Sequence, residues 1–244
     1  MGVARSVKSW RFLGRQPYVP AWELQEELRR RVLAGEGAGE ILVVEHPPTV
    51  SLGRGEKGQN VLFDRTALSE AGFEVVETNR GGKVTYHGPG QLVVYPVVDL
   101  RSIGMGVKQF VCALEKTMIH FLDRYGISAE RKDGYPGAWV GGKKIGSIGI
   151  HVRKQVSIHG LALNIDPDLS HFDVITPCGI PGVQMTSMAK EGVRLVLADT
   201  IEPFLSSLEA IFGWDLGLPV NEPFPRNLGC NVNPDFIPPP AAYV

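Results

Sequence analysis

The sequence predicts a single α+β domain, an α/β-type mixed and mostly antiparallel sheet flanked by helices. Three observations predict it. Strand-like and helix-like segments interleave along 244 residues without a strict βαβ rhythm. One helix is unmistakable: Val107, Phe110, Val111, Leu114, Met118, Leu122 and Tyr125 form one apolar stripe at helical spacing, between Gly106 and Tyr125. A chain of this length also buries a sizeable core without disulfide staples.

The elements follow in order. Val7–Leu13 alternates as a strand does, and Gly14 closes it. Pro20 suits the first turn of a helix, Trp22, Leu24, Leu28 and Val32 give it an apolar stripe, and Gly35 stops it. Ile41–Val44 is a wholly apolar strand ended by Pro47 and Pro48. Asp64 caps a short helix through Ala71, with Gly72 after it and a strand over Phe73–Val76. Gln91–Val98 is the next strand. Ala138–Ile165 reads as strands broken at Gly141-Gly142 and at Arg153-Lys154-Gln155. Asp199 and Glu202 resemble a capping box for a last helix to Phe212. Residues 219–244 hold seven prolines and are expected to be an extended or disordered tail, leaving 1–218 as the folded domain.

Composition narrows the function. With 25 basic and 26 acidic residues, the chain has no bulk charge for nucleic acid, and no apolar run reaches the length of a membrane span. Met1–Arg15 lacks the apolar region of a secretory signal. The basic residues Arg5, Lys8, Arg11 and Arg15 also fit a transit peptide, but the strand pattern there favours the cytoplasm. Cys112, Cys178 and Cys230 are too few and odd in number for a disulfide framework. No CxxC or HxxxH pair marks a metal site, and no phosphate loop or dinucleotide fingerprint marks a cofactor.

Three segments have the wrong composition for pure structure. Arg80-Gly81-Gly82-Lys83-Val84-Thr85-Tyr86-His87-Gly88-Pro89-Gly90 reads either as a ligand loop or as a structural hairpin. In Gly141–Gly149, alternation sends Lys143 and Lys144 to opposite faces. Either one of them enters a pocket, where an ammonium is costly, or both sit solvated on an edge strand. In Thr176–Gly182, Cys178 lies on a loop between prolines and glycines, so it is the first candidate of the three thiols if one of them is a nucleophile.

Together these segments resemble the octanoyltransferases of lipoate biosynthesis. The signature RGGxxT[aromatic]HxPGQLxxY stands as Arg80–Tyr95, and KIxS[IL]G as Lys144–Gly149. SxHGLALN stands as Ser157–Asn164, and PCG as Pro177–Gly179 with Thr186-Ser187 following. Glu45–Arg54 and Leu13–Tyr18 fit as well, so the resemblance spans about residues 8–215. It implies a fold like the biotin/lipoate protein ligase catalytic domain. It implies transfer of octanoyl from acyl carrier protein to a lysine of lipoyl domains, those of 2-oxoacid dehydrogenases and of the glycine cleavage H protein, without a cofactor.

By the same resemblance Cys178 is the nucleophile and Lys144 its activating partner. Arg80, Gly81, Gly82, Lys83, Val84, Thr85, Tyr86, His87, Ser147, Ile148, Gly149, Gly160, Leu161 and Ala162 are the substrate-binding positions. Backbone N–H groups beside the glycine-rich loops are candidate oxyanion donors. His87 and His159 either orient groups in the pocket or are satisfied structural histidines. An apolar tunnel should select the acyl chain: at about 0.8 kcal/mol per methylene, a chain two carbons shorter binds roughly 15-fold worse. Arg29-Arg30-Arg31, Arg131-Lys132 and Arg153-Lys154 are either docking charges for acidic partners or solvated faces. The rival functions are an ATP-dependent lipoate or biotin ligase, an octanoyl amidotransferase between lipoyl domains, and a non-catalytic lipoyl-domain binder.

Overall fold

The computed structural model describes residues 7, 9–37 and 39–220. The chain runs through strand β1 (Trp10–Arg15), helix α1 (Tyr18–Leu33), β2 (Gly39–Glu45), β3 (Thr49–Leu52), α2 (Arg65–Glu70), β4 (Glu74–Glu77), β5 (Val84–His87) and β6 (Gln91–Val98). It continues with α3 (Val107–Asp123), β7 (Gly137–Val140), β8 (Lys143–Arg153) and β9 (Val156–Asn164). Two short 3-10 turns (Leu169–Val174 and Pro177–Gly179) then lead to α4 (Leu197–Phe212). Six strands form one sheet in the order β1-β2-β6-β9-β8-β7, antiparallel except for β1 on β2. Three more form a small sheet, β4-β3-β5, with β3 parallel to β4 and antiparallel to β5. This is the single mixed-sheet domain expected.

Both faces of the large sheet are covered, which explains the unbroken apolar runs of β2 and β6. Ile41, Val43, Leu92 and Val94 pack against Phe110, Leu114, Met118 and Phe121 of α3 and against Phe204 and Leu208 of α4. Their neighbours Leu42, Val44, Val93 and Tyr95 face Tyr18, Trp22, Leu24 and Leu28 of α1. Every second side chain therefore enters a different core. The small sheet has its own core of Val50, Val84 and Tyr86 with Leu68, Phe73, Phe172 and Ile175.

Several boundaries differ from the sequence reading. The first strand begins at Trp10, and Gly14 does not close it: with φ +67° it sits inside the strand, where the register on β2 shifts between Phe12 and Arg15. β3 and β5 were not expected as strands. Four residues each, beside prolines and glycines, they carry too little periodicity to stand out. Helix α4 starts at Leu197 behind Val196, so Asp199 does not cap it. Asp199 lies in the first turn, where its charge still complements the helix dipole. Asp64 does cap α2, accepting from the Ala67 N–H at 2.9 Å. Among the described residues no helix is long and apolar enough to cross a membrane. The expected tail falls, after Val220, outside the described residues.

Candidate active site

The two sheets and the Pro177–Gly179 turn enclose a cavity of about 320 Å³. One wall is the backbone of Arg80–Lys83 leading into β5 with Thr85 and His87; the other is Ser147–Ile150 of β8 and His159–Ala162 of β9. The two walls touch through backbone. The Gly81 N–H donates to the Ile150 carbonyl at 2.8 Å, and a Cβ on Gly149 would lie 3.0 Å from the Gly81 oxygen. Gly160 is needed for the sheet itself, since its Cβ would fall 2.1 Å from the Val94 carbonyl oxygen on β6.

Of the substrate-binding positions expected, all but one border this cavity. Tyr86 is the exception. It turns into the small-sheet core, where its hydroxyl is 2.7 Å from His171 Nδ1 and its ring meets Phe73 and Phe172. Val84 borders the cavity while packing into the same core.

Cys178 and Lys144 meet at the cavity. Lys144 is 2% exposed, and its Nζ donates to the Pro136 carbonyl at 2.9 Å and lies 3.5 Å from Cys178 Sγ. It also sits 5.1 Å from the centre of the Trp139 ring. Its backbone is pinned by the Lys144 N–H to the Gln184 carbonyl and by the Thr186 N–H to the Lys144 carbonyl, at 2.8 and 2.9 Å. Among the described residues it has no carboxylate partner. Lys143 points the other way and pairs with Glu191 at 2.6 Å. That contact, with Thr186 behind it, holds the Glu191 carboxyl below the ordinary carboxylate range.

Cys178 itself adopts φ +56°, a left-handed conformation that costs a non-glycine residue roughly 1–2 kcal/mol. The turn that imposes it is closed by Gly179 N–H to Thr176 O at 2.8 Å, while Thr176 N–H donates to Asn60 O at 2.8 Å. Lys83 lies across Gly179, so close that a Cβ there would be 2.2 Å from Lys83 Cδ. The N–H groups of Gly81 and Gly179 donate to the Ile150 and Thr176 carbonyls, so neither of these two is free for an oxyanion. Cys112 is half-buried on α3, and Cys230 lies outside the described residues.

A polar network closes the far side. Arg80, 6% exposed, gives its guanidinium to the Ser51 hydroxyl and carbonyl and to the Gly81 carbonyl. Burial pushes it down, and the nearby Tyr18 hydroxyl and Cys178 thiol, in their charged forms, pull it back up. His46 donates from Nδ1 to the Gln16 carbonyl at 2.7 Å and accepts at Nε2 from the Tyr95 hydroxyl at 2.8 Å. His159 accepts at Nδ1 from Tyr18 and donates from Nε2 to Asn79 Oδ1, at 3.3 and 2.7 Å. These tautomers follow from the network and are those of neutral rings. His159 is thus a satisfied histidine, whereas the buried ring nitrogens of His87 make no hydrogen bond of good geometry among the described residues, and only the Gln91 side chain bears on them.

Neutral buried imidazoles have a consequence for stability. Burial, opposed by the Gln16 carbonyl and Glu45, takes His46 from 6.5 to about 4. Burial also holds His87 and His159 well below their ordinary value, helped by Arg80 and neighbouring imidazoles. Below about pH 6.5 the unfolded chain therefore binds more protons than the native one. Stability is full above that pH and falls as pH drops toward 4. His46 alone should cost about 2 kcal/mol between pH 7.5 and pH 5. Urea melts at those pH values should show the loss, and His46→Gln should reduce it. An identical pH dependence in the variant would contradict the assignment.

Residues 17–209 match the model of the lipoyl protein ligase A/B catalytic domain. The chain belongs to that family. It is an enzyme, a transferase of the acyltransferase type, as its curated relatives are. It is 44% identical over 206 residues to an octanoyltransferase of Solibacter usitatus, covering 84% of this chain and 93% of the relative. It is 38% identical over 214 residues to a mitochondrial octanoyltransferase of Arabidopsis thaliana, covering 86% and 91%. In fold it resembles an ATP-bound lipoate-protein ligase A (TM-score 0.71, 15% identity, 88% and 90% covered). The Aquifex aeolicus biotin protein ligase is more distant (TM-score 0.54, 14% identity, 84% and 71% covered).

Several groups at this lipoyl-ligase-family cavity went unassigned as site residues in the sequence. Pro136 supplies the carbonyl that holds Lys144, and Val111 of α3 and Ile180 extend the apolar lining. Val111 belongs to the core stripe of the helix by its spacing, and a stripe does not reveal that its edge opens on a cavity. Tyr18 and Tyr95 lay within the matched motifs yet were given no place in the pocket.

Proposed function

We propose that the protein transfers an octanoyl group from octanoyl-acyl carrier protein to a lysine of lipoyl domains, through a thioester on Cys178. The observation that carries this reading is the 3.5 Å approach of the buried Lys144 Nζ to Cys178 Sγ at the wall of an apolar cavity. A free thiol with pKa about 8.5 is only a few per cent thiolate at neutral pH. The Lys144 amine, held beside Cys178 Sγ, is placed to carry protons to and from the sulfur and the reacting groups.

The reaction then has two halves. The Cys178 thiolate attacks the donor carbonyl, and the carrier's thiol leaves with a proton from Lys144. The incoming lysine loses one proton to solvent, and its neutral amine attacks the Cys178 acyl thioester while the neutral Lys144 takes the second proton from the attacking nitrogen. An amide forms, and Cys178 leaves as the thiolate paired again with the Lys144 ammonium. Val84, Val111, Ile148, Leu161 and Ala162 supply apolar surface for the acyl chain. The relatives named octanoyltransferase support the octanoyl group as cargo. The lipoyl-domain acceptors in view are those of 2-oxoacid dehydrogenases and the glycine cleavage H protein, in the cytoplasm.

The donor thioester is already activated, so the transfer should need neither ATP nor magnesium. Purified protein, octanoyl-acyl carrier protein and a lipoyl domain, freed of nucleotide and metal, should give octanoyl-lysine at full rate. Strict dependence on ATP would assign the chain to the ligase chemistry of its fold neighbours instead. Octanoyl-lipoyl domain as a far better donor than octanoyl-acyl carrier protein would make it an amidotransferase.

A further inference from the structure

Just outside the cavity wall, basic side chains gather around His151. Helix α1 lies over β9, fixed by the His159 N–H donating to Gln25 Oε1 at 2.7 Å, and one turn later it presents Arg29. The Arg29 side chain is 8% exposed; Glu26 takes its Nη2, and its buried Nη1 has no partner. Glu26 also receives Asn79 Nδ2 at 3.5 Å. His151 and Arg153 share one face of β8. The Nδ1 of His151 is buried and likewise unpartnered.

Arg54 approaches from the loop after β3. Its N–H donates to the Arg80 carbonyl, and the residue after Arg80, Gly81, donates to the Ile150 carbonyl beside His151, which brings the loop to the same stretch of β8. Burial first, then the charges of Arg29, Arg54 and Arg153, hold the His151 imidazole at about 4. Glu26 is the carboxylate paired there. The cluster is continuous with the cavity. The Arg54 N–H donates to the Arg80 carbonyl and the Gly55 N–H to the Gly82 carbonyl, each at 2.9 Å, and His151 follows Ile150 of the wall.

We propose that this rim of Arg29, Arg54, His151 and Arg153 binds the phosphate of the donor's prosthetic arm while the acyl thioester at the other end of that arm reaches Cys178. The inference rests on the reading of acyl carrier protein as donor. Arginine's planar fork suits a phosphate, and the unpartnered Nη1 and Nδ1 are the polar atoms a bound phosphate would satisfy. A rim that meets the wall through backbone lets one extended arm touch both places.

The test uses two small donors that differ only in the phosphate, octanoyl-4′-phosphopantetheine and octanoyl-pantetheine, with acylation of Cys178 read by mass and rate. The phosphorylated donor should have a KM lower by about tenfold, the value of one charge-assisted hydrogen bond. An Arg54→Gln/Arg153→Gln double variant, at two exposed positions, should bring the ratio of the two KM values close to one. Arg29→Gln, with its melting temperature measured alongside, should do the same. Equal KM values in the wild type, or an unchanged ratio in the double variant, would overturn the proposal. So would a double variant that slows only transfer to a lipoyl domain, which would give the rim to acidic side chains of the acceptor. Absence of any adduct from both donors would instead overturn the acyl-enzyme reading on which the proposal rests.

Discussion

Replacing Cys178 with alanine should lower octanoyl transfer by about three orders of magnitude or more, because the acyl group then has no covalent way station. The cavity, its apolar walls and Lys144 remain, so binding of the donor should survive. The backbone gives this prediction a second edge. At φ +56° the left-handed conformation is one that glycine adopts freely. Cys178→Gly should therefore be as inactive as Cys178→Ala yet melt no lower than the wild type. The strain at this position is then a cost carried to aim the thiol. Steady-state transfer and thermal melts of the two variants check both halves; an active Cys178→Gly protein would remove Cys178 from the chemistry.

Lys144→Arg should stop the reaction halfway. Arginine keeps the positive charge beside the Cys178 sulfur, so thiolate formation and acylation should persist in part. It cannot release a proton at working pH, so it cannot deprotonate the acceptor lysine. Acyl-enzyme should accumulate, while transfer to a lipoyl domain falls by roughly 100-fold or more, the usual value of a general base. Lys143→Arg keeps the surface pairing with Glu191 and should transfer at close to the wild-type rate. Rapid-quench measurement of adduct and product separates these cases. Wild-type transfer by Lys144→Arg, or a larger loss in Lys143→Arg, would overturn the base assignment.

The alternation of Lys143 and Lys144 shows how far the sequence could be read. It required that at most one of the two enter a given pocket, and the Lys144–Gly149 motif chose which. The structure buries that residue. The long helix and the fully apolar strands were legible for the same reason, since periodicity reports burial directly. What periodicity does not report is which elements of distant sequence close on one another. Pro136 has no chemical signature, yet its carbonyl orients the lysine. Tyr86 stands in the middle of a motif but turns away: on β5 it shares the small-sheet core with Val84, and its hydroxyl is drawn to His171, whereas Thr85 and His87 alternate toward the cavity. Nor does the sequence report which loop N–H groups are already committed, as those of Gly81 and Gly179 are to the Ile150 and Thr176 carbonyls. The basic rim draws on α1, β8 and the loop after β3, so it is invisible to any local pattern.

An acyl-Cys178 intermediate should be visible in intact-protein mass after incubation with octanoyl-acyl carrier protein in the absence of any lipoyl domain. The expected result is a gain of one octanoyl group that maps to Cys178, is released by hydroxylamine as a thioester should be, and disappears as amide product forms when a lipoyl domain is added. Transfer that proceeds without such an adduct, or an adduct that maps to Cys112, would contradict it.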